Sequence, residues 1–272
     1  MTGRLYVCST PIGNLEDSSL RLVRVLGEVD VVAAEDTRRT RKLLSHHGIR
    51  ARLVSYHQAN EREAAAKLIE RLRRGESVAL VTDSGTPLVS DPGFRLVRGA
   101  IEAAVVVEAV PGPSAVLAAL AVSGLGAARF AFEGFLPRKQ GDRKRRLEAI
   151  AADDRTLVFF ESPNRLAPTL ADLEEALGDR PAAVARELTK FHEEVTRGPL
   201  SELRIKAAAA EVLGEVVIVV DGCRPEPDPA SAVARARELM NKGESKSRAA
   251  GAAAQEFGVP KSVVYDELLK EG

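Results

Sequence analysis

The stretch Val78-Ala79-Leu80-Val81-Thr82-Asp83-Ser84-Gly85-Thr86-Pro87-Leu88-Val89-Ser90-Asp91-Pro92-Gly93 opens with four apolar residues and runs on into a loop too elaborate for a plain connection. A short unbroken hydrophobic block bounded by turn residues is the pattern of a strand buried on both faces of a parallel sheet. The loop that follows holds two aspartates, several small hydroxyl residues and two turns built from glycine and proline. Open α/β sheets bind ligands at the carboxyl ends of their strands, so the segment predicts a strand end that walls a pocket.

Outward from this strand the chain alternates. Strands are predicted at Leu5 to Ser9, Val29 to Ala34, Leu53 to Ser55 and Val105 to Ala109. Helices are predicted at Ser18 to Leu26, Thr37 to His47, Glu61 to Arg74, Asp91 to Ala103 and Ser114 to Val122. In the Glu61 helix, Ala65, Leu68, Ile69 and Leu72 fall on one face. Strands separated by helices imply βαβ units and a mainly parallel sheet. Small residues from Ser123 to Ala128 mark a boundary, and a second set follows. Its strands are Ala131 to Gly134, Thr156 to Glu161, Ala182 to Arg186, an edge strand Glu193 to Arg197, and Val216 to Asp221; its helices are Arg143 to Ala151, Arg165 to Leu177 and Leu200 to Ala209. Arg224 to Pro229, with three prolines, reads as a linker, and three helices finish the chain at Ser231 to Met240, Lys246 to Phe257 and Ser262 to Leu269. The expected architecture is two α/β domains, over 1–124 and 125–222, with a helical tail over 230–272.

Composition narrows the function classes. The 272 residues include 39 Lys+Arg and 39 Asp+Glu, so no whole-molecule field attracts a polyanion, and any nucleic-acid contact must come from local patches. Cys8 and Cys223 have none of the paired spacing of a zinc site, so no metal is expected and a reducing, cytoplasmic setting fits. No charged leader with an apolar core opens the sequence and no apolar run has membrane-spanning length, which argues against secretion or a membrane partner.

Two further loops resemble the first in kind. Thr10-Pro11-Ile12-Gly13-Asn14-Leu15 follows a strand but lacks the spaced glycines of a dinucleotide site and the lysine of a P-loop. At Val110-Pro111-Gly112-Pro113-Ser114-Ala115 a strand ends in a rigid turn, with Ser114 placed to cap the next helix. Each alone is an ordinary turn; three on one sheet edge make a site.

Seven segments then occur in order: Ser9-Thr10-Pro11-Ile12-Gly13-Asn14-Leu15, Ala34-Glu35-Asp36-Thr37-Arg38, Ser55-Tyr56-His57, Asp83-Ser84-Gly85-Thr86-Pro87-Leu88, Val110-Pro111-Gly112-Pro113-Ser114, Phe160-Glu161-Ser162-Pro163-Asn164-Arg165 and Arg186-Glu187-Leu188-Thr189-Lys190. Together they closely resemble the ribosomal RNA small subunit methyltransferase I family of the tetrapyrrole methylase superfamily. The resemblance implies S-adenosylmethionine bound in a cleft between the two α/β domains, and 2′-O-methylation of a decoding-centre cytidine in 16S rRNA within the small ribosomal subunit. It implies a homodimer. Carried over position by position, it places Pro11, Asp83, Gly85, Thr86, Val89, Ser90, Ser114 and Ala115 of the first domain on the cofactor, with Phe160, Glu161, Ala185, Arg186 and Glu215 of the second. Gly85-Thr86-Pro87 stands where tetrapyrrole-acting members have Gly-Asp-Pro, a departure that agrees with the ribosomal branch. A small-molecule tetrapyrrole methylase and a non-catalytic RNA-binding assembly factor are the alternatives.

Methyl transfer from a sulfonium to a hydroxyl is an in-line displacement that needs close positioning, with no metal or covalent enzyme intermediate. A ribose hydroxyl is a poor nucleophile, so a proton acceptor helps; Asp36, His57, Asp83, Glu161 and Glu187 are candidates of equal standing. For Asp36 the ordinary alternative is capping the helix at Thr37. Phosphate contacts are expected from Arg38 and Arg39, beside Arg41 and Lys42, and from the basic run Arg138, Lys139, Arg143, Lys144, Arg145 and Arg146, where only Asp142 offsets six positive charges. Solvated faces are the ordinary reading of such runs. In the tail, Ala249, Ala253 and Phe257 form an apolar stripe, Gly258-Val259-Pro260 breaks the helix and Ser262 is placed to cap the next, a layout equally suited to a helix-turn-helix and to a small packing bundle.

Overall fold

A computed structural model describes residues 3–209, 212–223 and 228–270. The chain forms two compact units, one of residues 1–151 with 155–221 and one of 152–154 with 222–272.

The larger unit contains two five-stranded sheets. Strands β1 (Arg4–Cys8), β2 (Val31–Ala34), β3 (Leu53–Ser55), β4 (Val78–Val81) and β5 (Val106–Val110) form the first, in the order β3-β2-β4-β1-β5. Every pairing in it is parallel. β2 and β4 are buried at all four positions, which is why both read as continuous apolar runs rather than alternating ones. The crossovers are α1 (Leu20–Glu28), α2 (Thr37–His46), α3 (Glu61–Arg73) and α4 (Phe94–Glu102). They cover the sheet on both faces, one core gathering Leu68, Leu72, Leu80 and Leu96 and the other Leu22, Leu26, Leu44 and Val81. α4 starts at Phe94, three residues later than expected, because Asp91-Pro92-Gly93 still belongs to the loop.

The second sheet has the order β6-β7-β10-β8-β9, from β6 (Phe130–Phe135), β7 (Thr156–Glu161), β8 (Pro181–Arg186), β9 (Glu194–Pro199) and β10 (Val216–Val220). Only β6 and β7 run parallel; β10 pairs antiparallel with both β7 and β8, and β8 with β9. Alternation of strands and helices did not reveal this, since pairing depends on which strand inserts where. α6 (Gln140–Ala149), α7 (Leu166–Leu177) and α8 (Leu200–Ala209) follow β6, β7 and β9. On one face of the sheet Leu147, Leu170, Leu173 and Leu203 pack over Phe159 and Ile218. On the other lies α5 (Ala115–Ser123), whose sequence is apolar nearly all round and whose Val116, Ala119 and Leu120 pack on Val158, Ala183 and Val217.

The smaller unit holds α9 (Pro229–Asn241), α10 (Lys246–Glu256) and α11 (Lys261–Lys270), packed around Ala236, Ala249, Ala253 and Val264. α11 begins at Lys261, so Ser262 lies inside the helix rather than capping it. Of the expected linker Arg224 to Pro229, residues 224–227 lie outside the described residues.

Candidate functional site

Because β4, β1 and β5 are neighbours and parallel, the loops at their carboxyl ends lie side by side, and they are bonded together. Thr10 and Gly85 exchange backbone hydrogen bonds, Thr10 N–H to the Gly85 carbonyl at 2.8 Å and the return bond at 3.1 Å. The Thr10 hydroxyl donates to the Thr82 carbonyl at 3.1 Å, and the Ser9 and Thr86 hydroxyls share a bond of 2.9 Å. Gly85 sits at φ +80°, Leu88 at +74° and Ser90 at +68°. Left-handed backbone at two residues with side chains is strained, and such strain concentrates at functional loops. Ser114 caps α5, accepting the Leu117 N–H.

The second sheet supplies the opposite wall through its register. Val217 of β10 pairs with Phe160 of β7 and with Ala185 of β8, and Val216 with Glu161 and Arg186, so these residues reach one edge together. Phe160 stacks edge to face with Phe132 and Phe135, at centroid distances of 4.8 and 5.6 Å. Between the two walls lies a cavity of about 260 Å³. Asp83, Gly85, Thr86, Val89, Ser90, Ser114, Ala115, Phe160, Glu161, Ala185 and Glu215, all expected from the sequence, line it. Ile12, Glu35, Arg39, Ser84, Asp91, Phe135, Leu188, Val216 and Val217 line it as well. A second cavity, of about 270 Å³, shares Ile12, Arg39, Asp83, Ser84 and Glu215 with the first.

Three acids gather at the sheet edge. Glu35 accepts the Thr82 hydroxyl at 2.7 Å and the Asp83 N–H at 3.3 Å; Asp83 accepts the Asp36 N–H at 2.9 Å and stands 3.6 Å from the Arg39 guanidinium. Burial raises the Asp83 carboxyl above its ordinary range, reinforced by the negative charge of Glu35 and opposed by the Asp36 N–H and Arg39. Burial likewise lifts Asp91 to about 6, with Glu35 and Asp83 adding to the rise.

The remaining sequence candidates stand outside the first cavity or, for Glu161, are spent within its wall. Pro11 lines the second cavity rather than the first. Arg186 turns away from the first cavity to Glu194, at 2.8 Å, and to the Leu213 carbonyl. Asp36 caps α2 and binds Arg38 through its backbone and guanidinium, which hold it at about 2. His57 lines neither cavity; its N–H donates to Asn60. Glu187 is bound to Lys190 at 2.8 Å, which lowers its pKa. Glu161 is buried with its oxygens taken by Ser162 N–H, the Thr169 hydroxyl and, at 3.2 Å, Arg165.

The basic run needs a correction. Arg143 is 5% exposed, and its guanidinium is spent on Asp172, Nε at 2.7 Å, and on the Pro137 and Arg138 carbonyls. It is a core ion pair, unavailable to a phosphate. Lys144 pairs with Glu175 and Arg146 with Glu133, acids outside the run, and Arg145 with Asp142 within it, which together relieve the repulsion that the run suggested. Arg138 and Lys139 stay exposed, with no ion pair among the described residues.

A family profile described as Tetrapyrrole (Corrin/Porphyrin) Methylases matches residues 4–204. A ribosomal RNA small subunit methyltransferase I from Mesorhizobium japonicum is 48% identical over 98% of this chain and 91% of its own length. The Pseudomonas aeruginosa protein of that description is 44% identical over 98% of this chain and 97% of its own. Among solved structures, the methyltransferase CobJ superposes with a TM-score of 0.63 at 19% identity, over 82% of this chain and 95% of that one. A uroporphyrin-III C-methyltransferase from Thermus thermophilus complexed with S-adenyl homocysteine gives 0.56 at 23% identity, over 80% and 97%. At those identities the structural likeness speaks for the fold, while the sequence matches place the chain in the tetrapyrrole methylase family, as a member of its ribosomal RNA small subunit methyltransferase I branch.

Proposed function

We propose that the chain binds S-adenosylmethionine in the first cavity and methylates the 2′-hydroxyl of a decoding-centre cytidine in 16S rRNA. The carrying observation is the chemistry of the cavity wall. One side is an apolar slot of Phe135, Phe160, Ala185, Val216 and Val217, suited to an adenine ring; the other is the loop Ser84-Gly85-Thr86 with the acids Glu35, Asp83 and Asp91, suited to the sulfonium and ammonium charges of the cofactor. Identity of 42–48% over 91–96% of the length of relatives named for the small-subunit reaction supports the RNA acceptor. When bound, the cofactor supplies a methyl group on a sulfonium, open to direct displacement.

On this reading the cavity residues orient the donor and keep bulk water from it, and Asp83 takes the hydroxyl proton. Asp36 and Glu187 are held too acidic by their cationic partners, and the oxygens of Glu161 are occupied, whereas Asp83 is raised and borders both cavities. The two sheets act as separate domains meeting near Gly124, with the tail from residue 230, in a cytoplasmic homodimer. Incubation of small ribosomal subunits with methyl-labelled cofactor, followed by nucleoside mass spectrometry, tests the reaction: 2′-O-methylcytidine is expected. Cofactor binding without label in 16S rRNA would refute it. Asp83→Asn is expected to lower kcat by about 10²- to 10⁴-fold.

A further inference from the structure

The second cavity adjoins the first. It shares Asp83 and Ser84 with the cofactor cavity, so a molecule seated there lies against the donor. Reacting atoms must approach to about 3–3.5 Å, which restricts the acceptor to a space that opens directly on the first cavity. A third cavity, lined by Leu166, Val184 and Arg186 among others, shares no residue with the first and lies on the opposite face of the second sheet, since Val184 and Ala185 point to opposite sides.

The lining of the second cavity is also of the right chemical kind. Arg39 and Lys42 are three positions apart in α2 and therefore share a face, with the apolar Leu43 beside them. Lys190, the other cation there, is neutralised by Glu187 at 2.8 Å and Glu215 at 3.0 Å. Lys42 is exposed and forms no ion pair among the described residues, and Arg39 is held only loosely by Asp83 at 3.6 Å. Facing them, the loop at Pro11, Ile12 and Gly13 is pressed onto the 188–190 segment: a Cβ at Gly13 would stand 2.5 Å from Lys190 Cγ and 3.1 Å from the Leu188 carbonyl oxygen. That wall is closely packed, so the cavity is shaped on one side and cationic on the other. A nucleotide, with an apolar base and an anionic phosphodiester, fits both.

We propose that this second cavity seats the acceptor nucleotide, with Arg39 and Lys42 as contacts to its flanking phosphates; the inference rests on the RNA methyltransferase reading above. Lys42 touches neither the cofactor cavity nor Asp83, so its contribution is separable from the chemistry. In full-length protein, Lys42→Ala and Lys42→Glu are compared with wild type and with Lys67→Ala, an exposed lysine on α3 that lines neither cavity. Methyl transfer is measured against small-subunit concentration at several salt concentrations, and cofactor affinity by calorimetry. The seat predicts a KM for the subunit raised on the order of tenfold in Lys42→Glu, and a log–log salt slope shallower by about 1 in both Lys42 variants, with kcat, cofactor affinity and the Lys67 control unchanged and Lys42→Arg behaving as wild type. Wild-type KM and salt slope in both Lys42 variants overturn the seat. Loss of cofactor affinity also overturns it, by assigning the cavity to the cofactor. A wild-type protein that methylates no small subunit refutes the underlying reading instead, before any variant is compared.

Discussion

Replacing Arg143 with alanine separates a structural role from RNA binding. The guanidinium and the Asp172 carboxylate are 6% and 3% exposed, and Gln140 donates to the other Asp172 oxygen at 3.0 Å. Truncation leaves that carboxylate buried with one neutral donor and takes a donor from the Pro137 and Arg138 carbonyls, the former still held by Arg165 at 3.2 Å. Removing one partner of a buried pair costs about 3–5 kcal/mol, because the remaining charge keeps its desolvation penalty. In a unit of this size each kcal/mol moves the melting temperature by about 2–4 °C, so Arg143→Ala is expected to melt about 6–20 °C lower. Arg143→Met combined with Asp172→Leu removes both charges at similar volume and should recover most of that loss. Thermal melts and urea titrations followed by circular dichroism read the difference, and RNA affinity is titrated with salt in parallel. A single variant that melts with wild type while its RNA salt slope falls by about 1 would refute the core-pair account and restore Arg143 to the phosphate face.

Three other outcomes are expected. Gly85→Ala places a Cβ 3.4 Å from Ile12 and 3.8 Å from the Pro113 carbonyl, ordinary contacts, but forces φ +80° on an L-residue at about 1–2 kcal/mol; it should lower stability by that amount and weaken cofactor binding by calorimetry, and wild-type affinity would remove Gly85 from the cofactor edge. Asp91 has a folded pKa of about 6 against about 3.9 unfolded, so its contribution to stability is full below the lower value and is lost as pH rises through the higher. Asp91→Asn should therefore exceed wild type in melting temperature at pH 8 and converge toward it by pH 5; a gap that widens on acidification contradicts the sign. Arg138→Ala with Lys139→Ala, at two exposed cations, should flatten the salt dependence of RNA affinity without moving the melting temperature, and an unchanged slope counts against that face.

The order of strands and helices was legible along the chain because it is local: buried parallel strands read as apolar blocks, and turns announce themselves through glycine, proline and capping residues such as Ser114. The three loops of the first sheet could be gathered on one edge for the same reason, since parallel strands put all their carboxyl ends together. Tertiary structure decided the rest. Whether β10 inserts antiparallel between β7 and β8 is a matter of long-range pairing, and that insertion is what brings Val216 and Val217 to the cavity. Arg143 looked like its neighbours, yet a helix face turns it inward onto Asp172, 29 positions away. Glu35 and Asp91 join Asp83 only because β2 and β4 are adjacent and the loop after β4 folds back. The Val78 to Gly93 stretch thus carried its own strand and loop in its sequence; which charges surround Asp83, and hence how readily it takes a proton, is set by residues that only folding brings near.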